Sequence, residues 1–280
     1  MSVLNRLSRP LMAASLVLGV AASAHAMDSW YFNPAGTGFA NATEFSGFNV
    51  GGYGFIDQSV SIQHLGFDFE EHGAYQIMMP SSGASPTAGF DITATYAVEG
   101  YVGLLGSGFT GGAISLYADP SFDFGSANGI FGADNGTLIA QFDVVGGAID
   151  PLAGQASVAA QLVGASLASG YFFDAAGNDL AGVTGLGLTL GVQNQVIDPT
   201  GTRIVAELAC EYGGFNGPGC NGAPYRPAFM DLAYSTVQDV GVATLTYNGG
   251  VPVVAVPEPA SAVMMLTGLL GLFAWRRFRS

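Results

Sequence analysis

Residues 59–76, SVSIQHLGFDFEEHGAYQ, bring two histidines and three carboxylates into one short segment. If this segment were a single β-strand, its alternating side chains would put four of these groups on one face. They are His64, Asp68, Glu70 and His72. Imidazole and carboxylate groups are common metal ligands, so a metal site is one interpretation. The apolar alternation changes phase between Val60 and Phe67, however, which favours a turn near Gln63 and polar residues on a solvated outer face.

Two loops are rich in side-chain oxygens, ADPSFDFGSANGIFGADNGT at 118–137 and FDAAGNDLAG at 173–182. Ca²⁺ takes about six to eight oxygen ligands, so these loops could hold a structural calcium ion. The same residue types form tight turns without any ion, and neither loop has EF-hand spacing. Both interpretations stay open, and no other cofactor is expected. The oxygen-bearing residues are Asp119, Asp123, Asn128, Asp134, Asn135, Asp174, Asn178 and Asp179.

The sequence lacks the motifs of the common enzyme mechanisms. It contains no G-x-S-x-G, H-E-x-x-H, Walker A or S-x-x-K pattern. Paired carboxylates can hydrolyse glycosidic bonds, but a chain with 21 acidic residues brings some pair together by chance. We therefore predict a protein that is not an enzyme, with a secreted hydrolase as the enzymatic alternative.

The charge balance is strongly acidic. The formal net charge is −14, the chain has no lysine, and of its seven arginines only Arg203 and Arg226 lie away from the termini. A surface of this sign repels phosphate backbones, which argues against nucleic acid as a partner. Divalent cations could bridge its carboxylates to other anionic material.

Glycine is abundant, with 42 residues, and short segments of strand character recur between Gly-, Asn- and Asp-rich turns. In FDITATYAV, residues 90–98, apolar side chains alternate with polar ones, and TLIAQFDVV at 137–145 shows a similar pattern. Segments of this kind, without a long helical one, predict an all-β fold, either an antiparallel β-sandwich or a barrel-like domain. ASVAAQLVGASL at 156–167 fits a strand or a helix.

Aromatic side chains suggest a second functional class. Trp30, Tyr31 and Tyr53 could stack on sugar rings in a carbohydrate-binding module, whereas core packing is the plainer role of such residues. A shallow aromatic groove on the outside of a sheet would favour sugar binding. A deep cleft with converging carboxylates would favour the hydrolase.

The N-terminal residues 1–26 are typical of a secretory signal peptide, with an apolar run at 11–22. We therefore predict export by the Sec machinery, with residues 27–250 as a β-rich passenger. The basic flank of the signal is Arg6 and Arg9, and the cleavage site is Ala24 and Ala26.

The two cysteines, Cys210 and Cys220, flank the Gly-rich loop CEYGGFNGPGC. In an exported chain such a pair is most simply a disulfide that closes a surface loop. Cys-x₉-Cys is not a familiar zinc spacing, so metal binding is the weaker interpretation.

An uncharged apolar segment, residues 260–275, follows a linker at 251–256 and the tripeptide Pro257-Glu258-Pro259. As a helix it would be about 24 Å long, which spans a bilayer only with some thinning. The basic cluster beyond it would stay on the cytoplasmic side and stop transfer. The stop-transfer residues are Arg276, Arg277 and Arg279.

This order of motif, apolar helix and terminal arginines resembles the PEP-CTERM protein-sorting signal of Gram-negative bacteria, here over residues 257–280. The resemblance implies that an exosortase, a membrane-embedded transpeptidase-like enzyme, recognises Pro257, Glu258 and Pro259 and cleaves near them. The apolar helix would anchor the substrate transiently in the inner membrane. Processing would then release the passenger to the cell surface or extracellular matrix.

Three stretches of the passenger are also similar to flocculation-associated PEP-CTERM proteins: WYFNPAGTG at 30–38, ISLYADPSFDFG at 114–125 and NGTLIAQFDV at 135–144. This similarity implies a role in floc or biofilm formation together with exopolysaccharide. It assigns no binding residue.

Overall fold

The computed structural model describes residues 30–45, 47–78, 89–125, 130, 132–196, 208 and 234–247. Within these ranges the named elements are eleven β-strands and one turn of 3-10 helix at Phe39–Asn41. The structure does not describe the predicted signal peptide, the Cys210–Cys220 disulfide or the sorting segment. It therefore does not test these three predictions. No helix within the described ranges is long and apolar enough to cross a membrane.

Eight strands form a closed antiparallel barrel, and three short ones form a separate sheet in the order β2-β1-β9. The strands are β1 Trp30–Phe32, β2 Thr43–Phe45, β3 Phe48–Ser61, β4 Gly66–Met78, β5 Asp91–Gly103, β6 Gly106–Asp119, β7 Thr137–Asp150, β8 Gln155–Leu162, β9 Phe172–Asp174, β10 Leu186–Val196 and β11 Tyr234–Tyr247.

The barrel order is β10-β11-β3-β4-β5-β6-β7-β8, with β8 paired to β10. The first barrel strand in the chain, β3, lies beside the last, β11, and this pairing completes the ring. The predicted all-β fold is therefore confirmed, and of the two predicted architectures the barrel is the one that forms. The ambiguous segment at 156–167 contributes to strand β8.

The barrel interior is built by strand alternation. On β5, Ile92, Ala94, Tyr96 and Val98 are all buried, as the sequence pattern predicts. Two tyrosines cross the interior with their rings stacked at 4.7 Å, Tyr75 and Tyr96. Glycines leave space for them, because a Cβ on Gly52 would overlap Tyr75 and one on Gly73 would overlap the ring of Tyr96.

The three-stranded sheet adds an aromatic layer to the same core. Phe32 on its central strand is fully buried, and its ring lies between 5.1 and 6.0 Å from three others. These belong to Phe45, Phe48 and Phe172. Aromatic clusters of this kind bury a large apolar area and fix ring orientation, so the sheet is an integral part of the domain.

Short turns connect β3 to β4, β5 to β6 and β7 to β8, at residues 62–65, 104–105 and 151–154. Because the strands run alternately up and down, these three turns lie at the same end of the barrel. The turn at 62–65 is the one predicted near Gln63. It includes Leu65 in the left-handed region, with a φ of 51°.

Candidate functional site

A groove of about 430 Å³ lies on the outer surface of β3, β4 and β5, beside the turn at residues 62–65. The register of the three strands arranges its floor in two rows. One row is Asp57, Glu70 and Glu99, and the next is Ser59, Asp68 and Tyr101. The groove is broad and open, and its lining combines carboxylates with aromatic rings.

His64 and Tyr101 form an aromatic wall of this groove. Their rings stack with centroids 4.0 Å apart and planes 16° from parallel. Nδ1 of His64 lies 2.6 Å from Oδ1 of Asp68 and 3.3 Å from the hydroxyl of Ser61. The hydrogen bond from His64 holds the pKa of Asp68 below its ordinary value, so Asp68 is an ionised acceptor beside the stacked rings.

The four candidate metal ligands form two separate pairs. His64 contacts Asp68, and Nε2 of His72 lies 2.7 Å from Oε1 of Glu70. In the part of the chain that the structure describes, no group of three or more His, Cys, Asp or Glu side chains could hold a metal ion. We therefore interpret the four residues as two hydrogen-bonded pairs on a solvated face.

The row of Asp57, Glu70 and Glu99 makes the groove acidic. Like charges directly opposite each other destabilise a sheet, and within this row Glu70 also contacts His72. Ionised carboxylates are hydrogen-bond acceptors only. The row therefore complements a partner that offers hydroxyl or ammonium donors and repels an anionic one.

None of the three aromatic residues selected from the sequence lines the groove. Trp30 is 3% exposed and belongs to the core, which excludes the sugar-stacking role for it. Tyr31 packs in the small sheet, and Tyr53 lies elsewhere on β3. The groove tyrosine, Tyr101, was not anticipated. The alternation of side chains along a strand could have predicted it, because Tyr101 follows Glu99 by two residues and therefore lies on the same outer face.

In the oxygen-rich loops, carboxylate oxygens accept hydrogen bonds from nearby backbone N–H groups. Oδ1 of Asp174 accepts the N–H of Asn178, and Oδ1 of Asp119 accepts the N–H of Ser121. Such bonds are typical of turn-forming residues, and they occupy carboxylate lone pairs that a bound cation would otherwise use. Asn128 lies outside the described residues, and structural calcium stays a prediction.

A second polar cluster lies inside the barrel. Glu71 on β4 and Asp239 on β11 are 6% and 0% exposed. The hydroxyl of Tyr96 donates to Oε1 of Glu71 at 2.9 Å, and that of Tyr75 donates to Oδ2 of Asp239 at 2.8 Å. Burial raises the pKa of Glu71 to about 8, with a further contribution from the charge of Asp239. Burial likewise raises the pKa of Asp239 to about 6.

Fold and site thus define an acidic, closed β-barrel with an open groove on its outer surface. Residues 255–279 match the PEP-CTERM protein-sorting motif, which confirms the sorting resemblance. The motif indicates an exported protein that is targeted to an exosortase. The match does not extend to the barrel, and no curated protein and no solved structure matches the chain.

Proposed function

We propose that this chain is a non-enzymatic surface or extracellular-matrix protein of a Gram-negative bacterium that binds exopolysaccharide and contributes to floc or biofilm formation. The sorting motif at residues 255–279 supports delivery to that location. Sec exports the chain, residues 260–275 anchor it transiently in the inner membrane, and an exosortase cleaves it near Pro259. The barrel is then the functional part of the released protein.

The outer groove is the observation that carries the binding role. Its volume of about 430 Å³ falls within the range of small-ligand sites. The stacked rings of His64 and Tyr101 offer an apolar surface for the C–H face of a sugar, and neighbouring carboxylates accept its hydroxyl groups. An open groove suits one segment of a long polymer, which enters and leaves along the sheet.

The charge of the groove specifies the polymer class. Asp57, Asp68, Glu70 and Glu99 surround the rings, and the chain as a whole carries −14. A polymer of uronic acids would meet repulsion, whereas a neutral glycan or one with amino sugars would not. We therefore propose a neutral or amino-sugar polysaccharide as the ligand.

Replacing Tyr101 with alanine should weaken binding of a neutral glucan by about tenfold, because the substitution removes one of the two stacked rings. Tyr101→Phe should keep most of the affinity, since it keeps the ring. The matched control is Tyr117→Ala on β6, outside the groove, which should bind as the wild type does. Affinity electrophoresis of the exported proteins in gels that contain the glucan measures the change.

Three polymers distinguish the ligand classes in the same assay: a neutral glucan, a polymer of amino sugars and a polyuronate. Retardation by either of the first two, lost in Tyr101→Ala, supports the proposal. Equal weakening by Tyr117→Ala would contradict the groove as the site. Retardation by the polyuronate alone, and only with Ca²⁺, would instead support calcium bridges and contradict the proposed sugar class.

A further inference from the structure

The interior cluster holds two carboxyl groups where ionisation is costly. Glu71 and Asp239 lie on the strands that flank β3, where Asp239 is directly opposite Gly52 and the carboxyl group of Glu71 lies over Gly54. A Cβ at Gly54 would lie 2.6 Å from Oε1 of Glu71 and 2.5 Å from the hydroxyl of Tyr96. Tyr96 joins the two acids, because its hydroxyl is 2.9 Å from Glu71 and 3.3 Å from Oδ2 of Asp239.

Two buried oxygen atoms at this cluster have no hydrogen-bond partner among the described residues: Oδ1 of Asp239 and Oδ1 of Asn194. Asn194 lies directly opposite Asp239 in the pairing of β10 with β11. Both are acceptors when Asp239 is ionised, and a buried acceptor without a donor costs about 1 to 3 kcal/mol. A proton on Asp239 would turn one of them into a donor.

Among the residues that the structure describes, no other group facing the cluster can neutralise it. From β4 come Glu71 and Tyr75, from β5 Tyr96, and from β11 Asp239. The strands β3, β6, β8 and β10 present no charged or titratable side chain to it. They present glycines from β3 and Phe109, Ile114, Ala156, Val158, Leu190, Val192 and Asn194 from the others. A proton bound to one of the two carboxyl groups is therefore the simplest way to neutralise the cluster.

We propose that Glu71 and Asp239 share at least one proton in the folded barrel at neutral pH, so that the interior is a pH-sensitive switch that loosens the barrel in alkaline surroundings. Loss of the last proton leaves two carboxylates repelling each other in an apolar interior. They lie on strands two positions apart, and their repulsion acts to separate β4 from β11 across β3.

The direction of the pH effect follows from linkage. Both pKa values are raised in the folded chain, to about 8 for Glu71 and about 6 for Asp239, from ordinary values of 4.5 and 3.8. The folded chain therefore binds more protons than the unfolded one between about pH 4 and pH 8. Stability is greatest at the acid end of this window and falls as the pH rises through it. The pKa values of Tyr75 and Tyr96 are raised as well, so both phenols stay donors.

Thermal unfolding of the full chain in mild detergent, followed by circular dichroism from pH 5 to pH 9, tests the switch. We expect the midpoint of the wild type to fall by about 10 °C over this range. Glu71→Gln and Asp239→Asn keep the shape of each side chain without its charge. Glu71→Gln should remove most of the fall and Asp239→Asn a smaller part, because burial raises the pKa of Glu71 further than that of Asp239. The matched control is Asp143→Asn on the outer surface of β7, which should follow the wild type.

Infrared spectroscopy adds a readout that does not depend on stable variants. The folded wild type at pH 7 should show the carbonyl stretch of a protonated, buried carboxyl group, and this band should disappear by pH 9. A wild-type midpoint that does not depend on pH, a loss of the fall in Asp143→Asn as large as that in Glu71→Gln, or no such band at pH 7 would each overturn the proposal. So would recovery of the wild-type midpoint at pH 9 by Na⁺ or Ca²⁺ at constant ionic strength, because a metal ion would then be the neutralising group.

Discussion

Replacing Gly73 with alanine should destabilise the barrel by about 3 to 5 kcal/mol. The new Cβ would overlap the ring of Tyr96, which cannot move aside freely because it is stacked on Tyr75 and donates to Glu71. Overpacking alone costs about 1 to 3 kcal/mol, and displacement of Tyr96 also leaves a buried carboxyl group without its donor. Urea unfolding of the full chain at pH 6 measures the difference.

The control for this substitution is Gly111→Ala on β6, where a Cβ would meet nothing within 4 Å and the backbone is not left-handed. It should change the unfolding free energy by less than about 1 kcal/mol. Equal stabilities of Gly73→Ala and Gly111→Ala would contradict the close packing of Tyr96 against β4, and with it the arrangement of the interior cluster.

The second large effect concerns export. Glu258→Ala should make the full-length chain accumulate in the membrane fraction, because an enzyme must recognise the Pro-Glu-Pro motif before it can cleave. A permanent anchor needs only hydrophobicity and a basic stop, so its location would not depend on Glu258. Cell fractionation and immunoblotting of the barrel give the readout, and Thr267→Ala, which leaves the motif intact, is the control. Release of Glu258→Ala at the wild-type level would contradict recognition of the motif.

Much of the fold follows from local patterns in the sequence. Glycine-rich turns and the alternation on β5 predict antiparallel strands, and the phase change before Phe67 predicts the turn at 62–65. These local patterns do not predict that the sheet closes into a barrel. The pairing of β11 with β3 joins the two ends of the barrel sequence, and neither strand has a local feature that distinguishes a barrel from a sandwich.

Only part of the interior cluster could be predicted from the sequence. Glu71 has the same parity as Phe67 and Phe69, so the pattern that turns those rings inward also turns Glu71 inward. A carboxyl group in an apolar row gives no indication of its partner, however. Asp239 lies far away in the chain, and only the barrel register brings the two together. The outer groove depends on the same register, which aligns Asp68 with Tyr101.

The most direct test of the account is the intact mass of the wild-type protein recovered from a strain with an exosortase and from the same strain without it. With the enzyme, we predict a chain that begins near Met27 and ends near Pro259, found outside the inner membrane. Without the enzyme, we predict a membrane-bound chain that retains Ser280. Exported chains that still carry Arg276 to Ser280 in the exosortase-positive strain would contradict the account.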